Sequence, residues 1–222
     1  MNFLNFKNYL YIMVNTFKKK SLNRILQEIY AKEKSVSGSV IEFGAEAGSS
    51  KNFTNFVKLK DIKKILYCDK FPKNKETIEE DLESKLSLES DLIDNIIIFN
   101  VLEHVFDNKN AFLEMNRCLK KNSGNIIGST PFMHRVHGAP EDYSRYTKQY
   151  FEKILYKTNF KNITVENLGF GAFTSAYAII FDYLKLIPFL NNIVLTFCLM
   201  LDKFISLIVK TKTKNIYPIA VC

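Results

Sequence analysis

The chain has 222 residues, of which 47% are hydrophobic and 24% charged. That suffices for one well-buried domain with an appendage, and no internal repeat or low-complexity linker interrupts it. Net charge is +8, which permits an anionic partner, but only four of the 31 basic residues are arginine (Arg24, Arg117, Arg135, Arg145), which argues against nucleic acid.

Cys68, Cys118, Cys198 and Cys222 lack the spacing of a metal clip or a redox pair. No metal is expected, and the thiols read as small buried hydrophobes in a reducing compartment. The early apolar residues Phe3, Leu4 and Phe6 precede the Lys18-Lys19-Lys20 run, the reverse of a secretory signal. No stretch reaches the ~18 uninterrupted apolar residues of a spanning helix. A cytoplasmic location is expected.

Residues 3–30 carry apolar positions at helical spacing (Phe6, Tyr9, Leu10, Met13, Phe17, then Leu22, Ile25, Leu26, Ile29), which predicts one or two helices covering a core. Residues 1–35 read as this N-terminal cover and residues 36–222 as the main domain. Ser39 to Ser50, S-V-I-E-F-G-A-E-A-G-S-S, then predicts a strand over 40–43, a glycine turn and a helix. Glu42 sits near the strand end. Gly44 and Gly48 allow the backbone to turn sharply and approach a ligand. Residues 51–59 are expected to continue as an amphipathic helix with Phe53, Phe56 and Val57 on one side. Strand, glycine turn and helix start make the layout of a nucleotide-type cofactor site.

Residues 63–69 predict a second strand ending on Asp69, 27 residues after Glu42. Parallel strands set these two ends side by side, and an acid at the second can accept from both hydroxyls of a ribose. A short third strand is expected within 77–82, with Asp81 at its end. Ile96-Ile97-Ile98-Phe99 reads as a strand covered on both faces, ending at Asn100. V-L-E-H-V follows, then a helix with Ala111, Phe112, Met115 and Leu119, closed by Lys120, Lys121 and Gly124. Residues 125–129 predict the fifth strand, ended by Thr130-Pro131.

Residues 132–146, F-M-H-R-V-H-G-A-P-E-D-Y-S-R-Y, are the least regular and hold two of the three histidines and two of the four arginines. They follow the carboxyl end of a central strand, where ligands bind in open α/β sheets. Thr147 is expected to cap a helix bearing Tyr150, Phe151, Ile154 and Leu155, and residues 162–165 to form a sixth strand. Residues 170–212 read as a helical apolar insert, broken by Asp182, Lys185, Pro188, Asn191, Asn192, Asp202 and Lys203, before a last strand within 216–221. The alternation of strands and helices predicts a single doubly wound α/β domain.

The order and spacing of these pieces resemble the class I S-adenosylmethionine-dependent methyltransferases over residues 40–132. The likeness is carried by the glycine-bearing stretch 40–48, by Leu66 to Asp69, by Asp81-Leu82, by D-N-I-I-I-F-N-V-L-E-H-V-F-D at 94–107, and by the helix, glycine stop and strand ending in E-M-N-R-C-L-K-K-N-S-G-N-I-I-G-S-T-P-F. Further on, H-G-A-P-E-D-Y-S-R-Y-T is similar to a segment of methyltransferases encoded with polysaccharide and lipopolysaccharide synthesis genes. The resemblance implies a Rossmann-like seven-stranded sheet with its last strand antiparallel, and S-adenosyl-L-methionine as cofactor. It implies that Glu42 helps to hold the methionine part, that Gly44 and Gly48 shape the loop, and that Asp69 takes the ribose hydroxyls. Asp81 is then expected near the adenine amino group and Asn100 at the strand end below the sulfonium. Glu46 departs from the pattern, which usually has glycine there, and its side chain crowds the place where backbone meets cofactor.

The expected reaction is O-methylation of a sugar or glycoconjugate hydroxyl in surface polysaccharide synthesis. A hydroxyl is a poor nucleophile at neutral pH, so a positioned base helps. His104 and His137 are the candidates, with His134 as a rival. Asp142 and Arg145 are candidate substrate contacts, against the plainer reading that they pair with each other to hold the loop. Two alternatives stand: methylation of a quinone-type lipophilic molecule, and a non-catalytic methyltransferase-like subunit. For residues 173–209 three uses compete: a lid over the acceptor, a homodimer surface, and peripheral contact with the inner membrane surface, which Lys203, Lys210, Lys212 and Lys214 would suit.

Overall fold

The computed structural model describes residues 5–138, 140–209 and 215–222. Helices α1 (Phe6–Phe17) and α2 (Leu22–Glu33) precede strand β1 (Ser35–Phe43). Then come β2 (Lys58–Asp69), β3 (Ile78–Glu79), β4 (Asn95–Phe99), α3 (Asn108–Cys118), β5 (Asn125–Pro131) and α4 (Lys148–Lys157). The chain closes with β6 (Asn167–Leu168), α5 (Ala172–Leu184), α6 (Pro188–Ile208) and β7 (Ala220–Val221). The sheet has seven strands in the order β3-β2-β1-β4-β5-β7-β6. β1 pairs parallel with β2 and β4, and β5 parallel with β4, whereas β7 runs antiparallel to β6. This is the Rossmann-like α/β fold expected, with its last strand antiparallel.

Three expectations need correction. The helix over 51–59 does not form: a single three-residue 3-10 turn, Phe53–Asn55, stands in its place. β2 starts early, pairing Lys58 with Ser35, so little chain is left for the crossover. Gly48, at φ +76°, breaks that chain, and Glu42 accepts from the Phe53 and Thr54 N–H groups, which fixes the short turn in place. The sixth strand lies at Asn167–Leu168 rather than 162–165, because Asn159 and Asn162 both take left-handed backbone angles and turn the chain out of an extended path. The last strand shrinks to Ala220–Val221, just past Pro218, which has no N–H to give to a ladder.

The chain divides into two compact units. One comprises the chain up to Ile29, Pro131–Val136 and Glu166–Val221; the other comprises Tyr30–Thr130, His137–Val165 and Cys222. In the first, most of the expected N-terminal cover and the apolar insert fall together. Glu28 is buried there and accepts from Tyr11 Oη at 2.7 Å, Lys20 Nζ at 2.9 Å and Arg24 Nε at 3.0 Å. The polar breaks of the insert turn inward. Asp202 of α6 accepts from the Phe173 and Thr174 backbone and from Thr174 Oγ1, at 2.7 to 3.0 Å, and so caps α5. Asn191 accepts from Tyr177 Oη at 2.7 Å, and Asn192 joins α6 to Thr16 and the Met13 carbonyl of α1.

The consequence is a helix turned inside out. α6 buries Asn191, Leu195, Leu199 and Asp202 and exposes Phe189, Ile193, Phe197, Met200, Phe204 and Leu207. By length and composition alone it could cross a membrane, and most of its apolar residues are not buried. The polar residues that interrupt its apolar sequence serve α5 and α1. Lys210, Lys212 and Lys214 lie outside the described residues.

In the second unit the core is β4, whose N-I-I-I-F residues are all buried, as expected of a strand covered on both faces. Asp94, just before it, accepts from Ser39 N and from Lys120 Nζ, both at 2.8 Å, which ties β1, β4 and the end of α3. Gly38 is required beside it: at φ +70°, an added Cβ would lie 2.4 Å from Asp94 Oδ2.

Candidate active site

The parallel register brings three strand ends together. Phe43 pairs with Cys68 of β2 and with Ile98 of β4, so Gly44, Asp69 and Asn100 follow at adjacent ends. Gly44 has φ +69°, and a Cβ there would come within 2.3 Å of Val101 Cγ2, so the turn can pass this close only with glycine. Gly48 has φ +76° with none of the described residues within 4 Å of an added Cβ, which leaves space over the loop. Asp69 is half-buried and accepts from Phe71 N at 2.8 Å, which keeps its carboxylate at the strand end. Asn100 leaves β4 at φ +56° with its N–H held by the Ser129 carbonyl at 2.8 Å.

Two other expected cofactor positions, Glu42 and Asp81, have protein partners, and so does Glu46. Glu42 is buried and accepts from Phe53 N at 2.5 Å and Thr54 N at 2.8 Å, so it shapes the loop that any cofactor would meet. Asp81 pairs with Lys70 Nζ at 2.9 Å and accepts from Glu83 N at 3.0 Å. Burial raises its pKa, but the Glu83 N–H and Lys70 outweigh that and hold it below the ordinary value. Glu46, the side chain at a glycine position, reaches the loop at 73–77: Lys73 N donates at 2.7 Å, Asn74 Nδ2 at 2.8 Å and Thr77 Oγ1 at 2.9 Å.

Past Asn100, a 3-10 turn Leu102–His104 is held by Glu141, Tyr143 and Tyr146. Tyr143 N donates to the Glu103 carbonyl at 2.8 Å. Tyr146 Oη donates to the Leu102 carbonyl at 3.2 Å, and Asn108 Nδ2 to the Val105 carbonyl at 2.6 Å. His104 Nδ1 lies 2.5 Å from the Glu141 carbonyl oxygen. A carbonyl only accepts, so Nδ1 carries the hydrogen and the neutral ring presents an unprotonated Nε2. Burial lowers the His104 pKa, and nearby His137 pushes the same way against the Glu141 carbonyl. The rings of His104 and His137 meet edge to face, with centroids 5.0 Å apart.

Asp142 and Arg145 make a two-pronged pair at 2.5 and 2.7 Å, the plainer of the two readings of these residues. Arg145 holds the Asp142 carboxyl well below the usual carboxylate range. Asp142 Oδ2 also accepts from His137 N at 2.9 Å and lies 3.4 Å from His137 Nδ1. His134 falls in the other unit, where it lines a cavity of about 260 Å³ with Arg135, Asp182 and Lys185.

Glu103 is the residue that sequence reasoning passed over. It is wholly buried, and neither carboxylate oxygen has a hydrogen-bond partner among the described residues. Oε1 lies 3.8 Å from His104 Nε2. Burial pushes its pKa up to about 8. The available signal was an acid set among Leu102 and Val105 and next to a histidine, in a turn that directly follows a buried strand.

Residues 49–127 match a protein-family model described as a methyltransferase domain. Among curated proteins, none matches the sequence. Solved structures share the fold. A chain from the Haloferax volcanii complex containing the Trm112 methyltransferase activator has a TM-score of 0.53 at 12% identity, covering 75% of this chain and 84% of that one. An S-adenosylmethionine-dependent methyltransferase from Archaeoglobus fulgidus has a TM-score of 0.50 at 15% identity, covering 74% and 80%. Phosphoethanolamine N-methyltransferase 2 of Haemonchus contortus, solved with phosphomonomethylethanolamine and S-adenosylhomocysteine, has a TM-score of 0.51 at 13% identity, with 81% of this chain and 49% of that one aligned. At these identities the likeness carries the fold. Residues 49–127 thus carry a methyltransferase domain, and the fold is one that S-adenosylmethionine-dependent methyltransferases share.

Proposed function

We propose that the chain transfers a methyl group to a hydroxyl of a sugar or glycoconjugate. The observation that carries this reading is the unprotonated Nε2 of His104, held in place by the Glu141 carbonyl four residues past Asn100. S-adenosylmethionine supplies a methyl group already activated as a sulfonium. The chain's own task is to align the acceptor and relieve it of a proton. Gly44, Gly48, Asp69 and Asn100 would hold the cofactor, and the open face at Gly48 and the half-buried carboxylate of Asp69 fit that role. His104, oriented by Glu141 and flanked by His137, takes charge of the hydroxyl proton; Asp142, fixed by Arg145, steadies His137. The glycan character of the acceptor rests on the 137–147 segment and its resemblance to polysaccharide-associated methyltransferases. His104→Ala should abolish turnover of a hydroxyl acceptor and leave S-adenosylmethionine binding, followed by calorimetry, intact. Unchanged turnover would overturn the role.

A second reading has its own support in the outward apolar face of α6, which favours a lipophilic or lipid-linked acceptor met at the inner membrane surface. Lys7, Lys18 and Lys19 at the ends of α1, and Lys203 on α6, are exposed and suit anionic headgroups. The protein should co-sediment with phosphatidylglycerol vesicles and lose that binding in a Phe197→Glu, Met200→Glu double variant. Recovery in the supernatant at all lipid concentrations would remove this reading. The non-catalytic alternative loses its motive, since Glu46 has partners on the 73–77 loop.

A further inference from the structure

We propose that Glu103, His104 and His137 form a divalent-cation site. One ligand atom from each lies within 4.8 Å of the other two, and the Glu103 Oε1 to His104 Nε2 distance is 3.8 Å. A transition-metal ion with bonds of about 2.1 Å draws three such atoms in by less than about an ångström each.

Three independent features point to a cation. The first is the Glu103 carboxylate, wholly buried, without a hydrogen-bond partner on either oxygen among the described residues, and directed at the histidine. A buried carboxylate left so is costly unless it coordinates a metal or is neutralised. The second is the orientation of His104: its Nδ1–H is taken by the Glu141 carbonyl, which turns Nε2, the ligating atom, toward Glu103. Metal-binding histidines are held this way, by a carbonyl or carboxylate on the far nitrogen. The third is the rigidity of the frame. Tyr143 N donates to the Glu103 carbonyl, His137 N donates to Asp142, and Arg145 grips Asp142 with two hydrogen bonds, so the two sequence segments that supply ligands are locked together without the ion.

Two imidazoles and one carboxylate suit zinc, cobalt, manganese or iron better than magnesium or calcium. Three protein ligands leave coordination positions open, which vicinal oxygens of an acceptor could fill. Where the hydroxyl-methylation reading holds, a bound cation would polarise the acceptor oxygen and lower the pKa of its hydroxyl, and the proton would pass to solvent, since His104 Nε2 would be engaged as a ligand. The site itself does not depend on that reading.

The full chain, stripped with EDTA, should bind one cobalt ion per chain, seen as visible absorption that zinc abolishes and magnesium does not. His104→Ala, His137→Ala and Glu103→Gln should each weaken binding by about tenfold or more. His134→Ala, in the other unit, should leave it unchanged. Lack of stoichiometric cobalt binding by the wild-type chain would overturn the site. So would loss of binding only in the His134 variant, or equal binding by all three ligand variants. S-adenosylmethionine titration of the stripped chain separates the two proposals: cofactor binding without cation binding sinks the metal site alone, and cation binding without cofactor binding sinks the methyltransferase reading alone.

Discussion

Gly44 and Gly48 share a left-handed backbone but differ in surroundings, and this separates conformational need from steric need. Gly44→Ala places a Cβ 2.3 Å from Val101 Cγ2, so strain and collision add. Gly48→Ala meets open space and bears only the left-handed penalty. Urea unfolding should show a loss of about 2–4 kcal/mol for Gly44→Ala and about 1–2 kcal/mol for Gly48→Ala. Equal losses would mean that Val101 yields and the contact is unimportant. Both glycines, Asp69 and Asn100 were legible as residues because backbone demands and strand ends leave marks in local sequence. Glu103 was not, because an acid's burial depends on a segment some forty residues away closing over it, as Tyr143 N does on its carbonyl. The partners of Glu46 were hidden for the same reason: they lie 27 to 31 residues downstream.

At the scale of elements, the sheet was legible and the crossover was not. I-I-I-F announced a strand buried on both faces, and Thr147 announced the cap of α4, where it accepts from Tyr150 N. The stretch after Gly48 has helical apolar spacing, but β2 takes its last residues, and tertiary competition of that kind overrides local pattern. α5 and α6 show the converse. Their polar residues looked like interruptions of an apolar run and are its fastenings. Asp202 satisfies the Phe173 and Thr174 N–H groups at the start of α5, where its charge also meets the positive helix end. Asp202→Ala leaves those groups buried or nearly so, and should cost about 2–3 kcal/mol in urea unfolding. Asp202→Asn, which keeps an acceptor, should recover part of it. An alanine variant as stable as the wild type would show that α5 does not depend on α6 for its cap.

For the molecule as a whole, the charge balance sets how stability responds to acid. The net charge of +8 rises as carboxylates protonate, and several of them stand in the fold with cationic or N–H partners. Asp94 ties β1, β4 and the end of α3. The Lys120 ammonium and the Ser39 N–H hold its carboxyl below the ordinary value of 3.8, and both contacts are 2.8 Å long. A carboxyl with a depressed folded-state pKa stabilises the fold above its unfolded pKa, and that contribution disappears as pH falls through the folded-state value. The Asp94 contribution is therefore complete at neutral pH and fades below about pH 4. Asp94→Asn removes the charge, retains the shape beside Gly38, and should lower stability at pH 7 by about 1–2 kcal/mol. At pH 3 the gap between variant and wild type should have narrowed, because the wild-type carboxyl is by then losing its charge. Urea titrations of both proteins at the two pH values check this. A gap of constant size across that range would place the effect in packing around Gly38 rather than in the charge of Asp94.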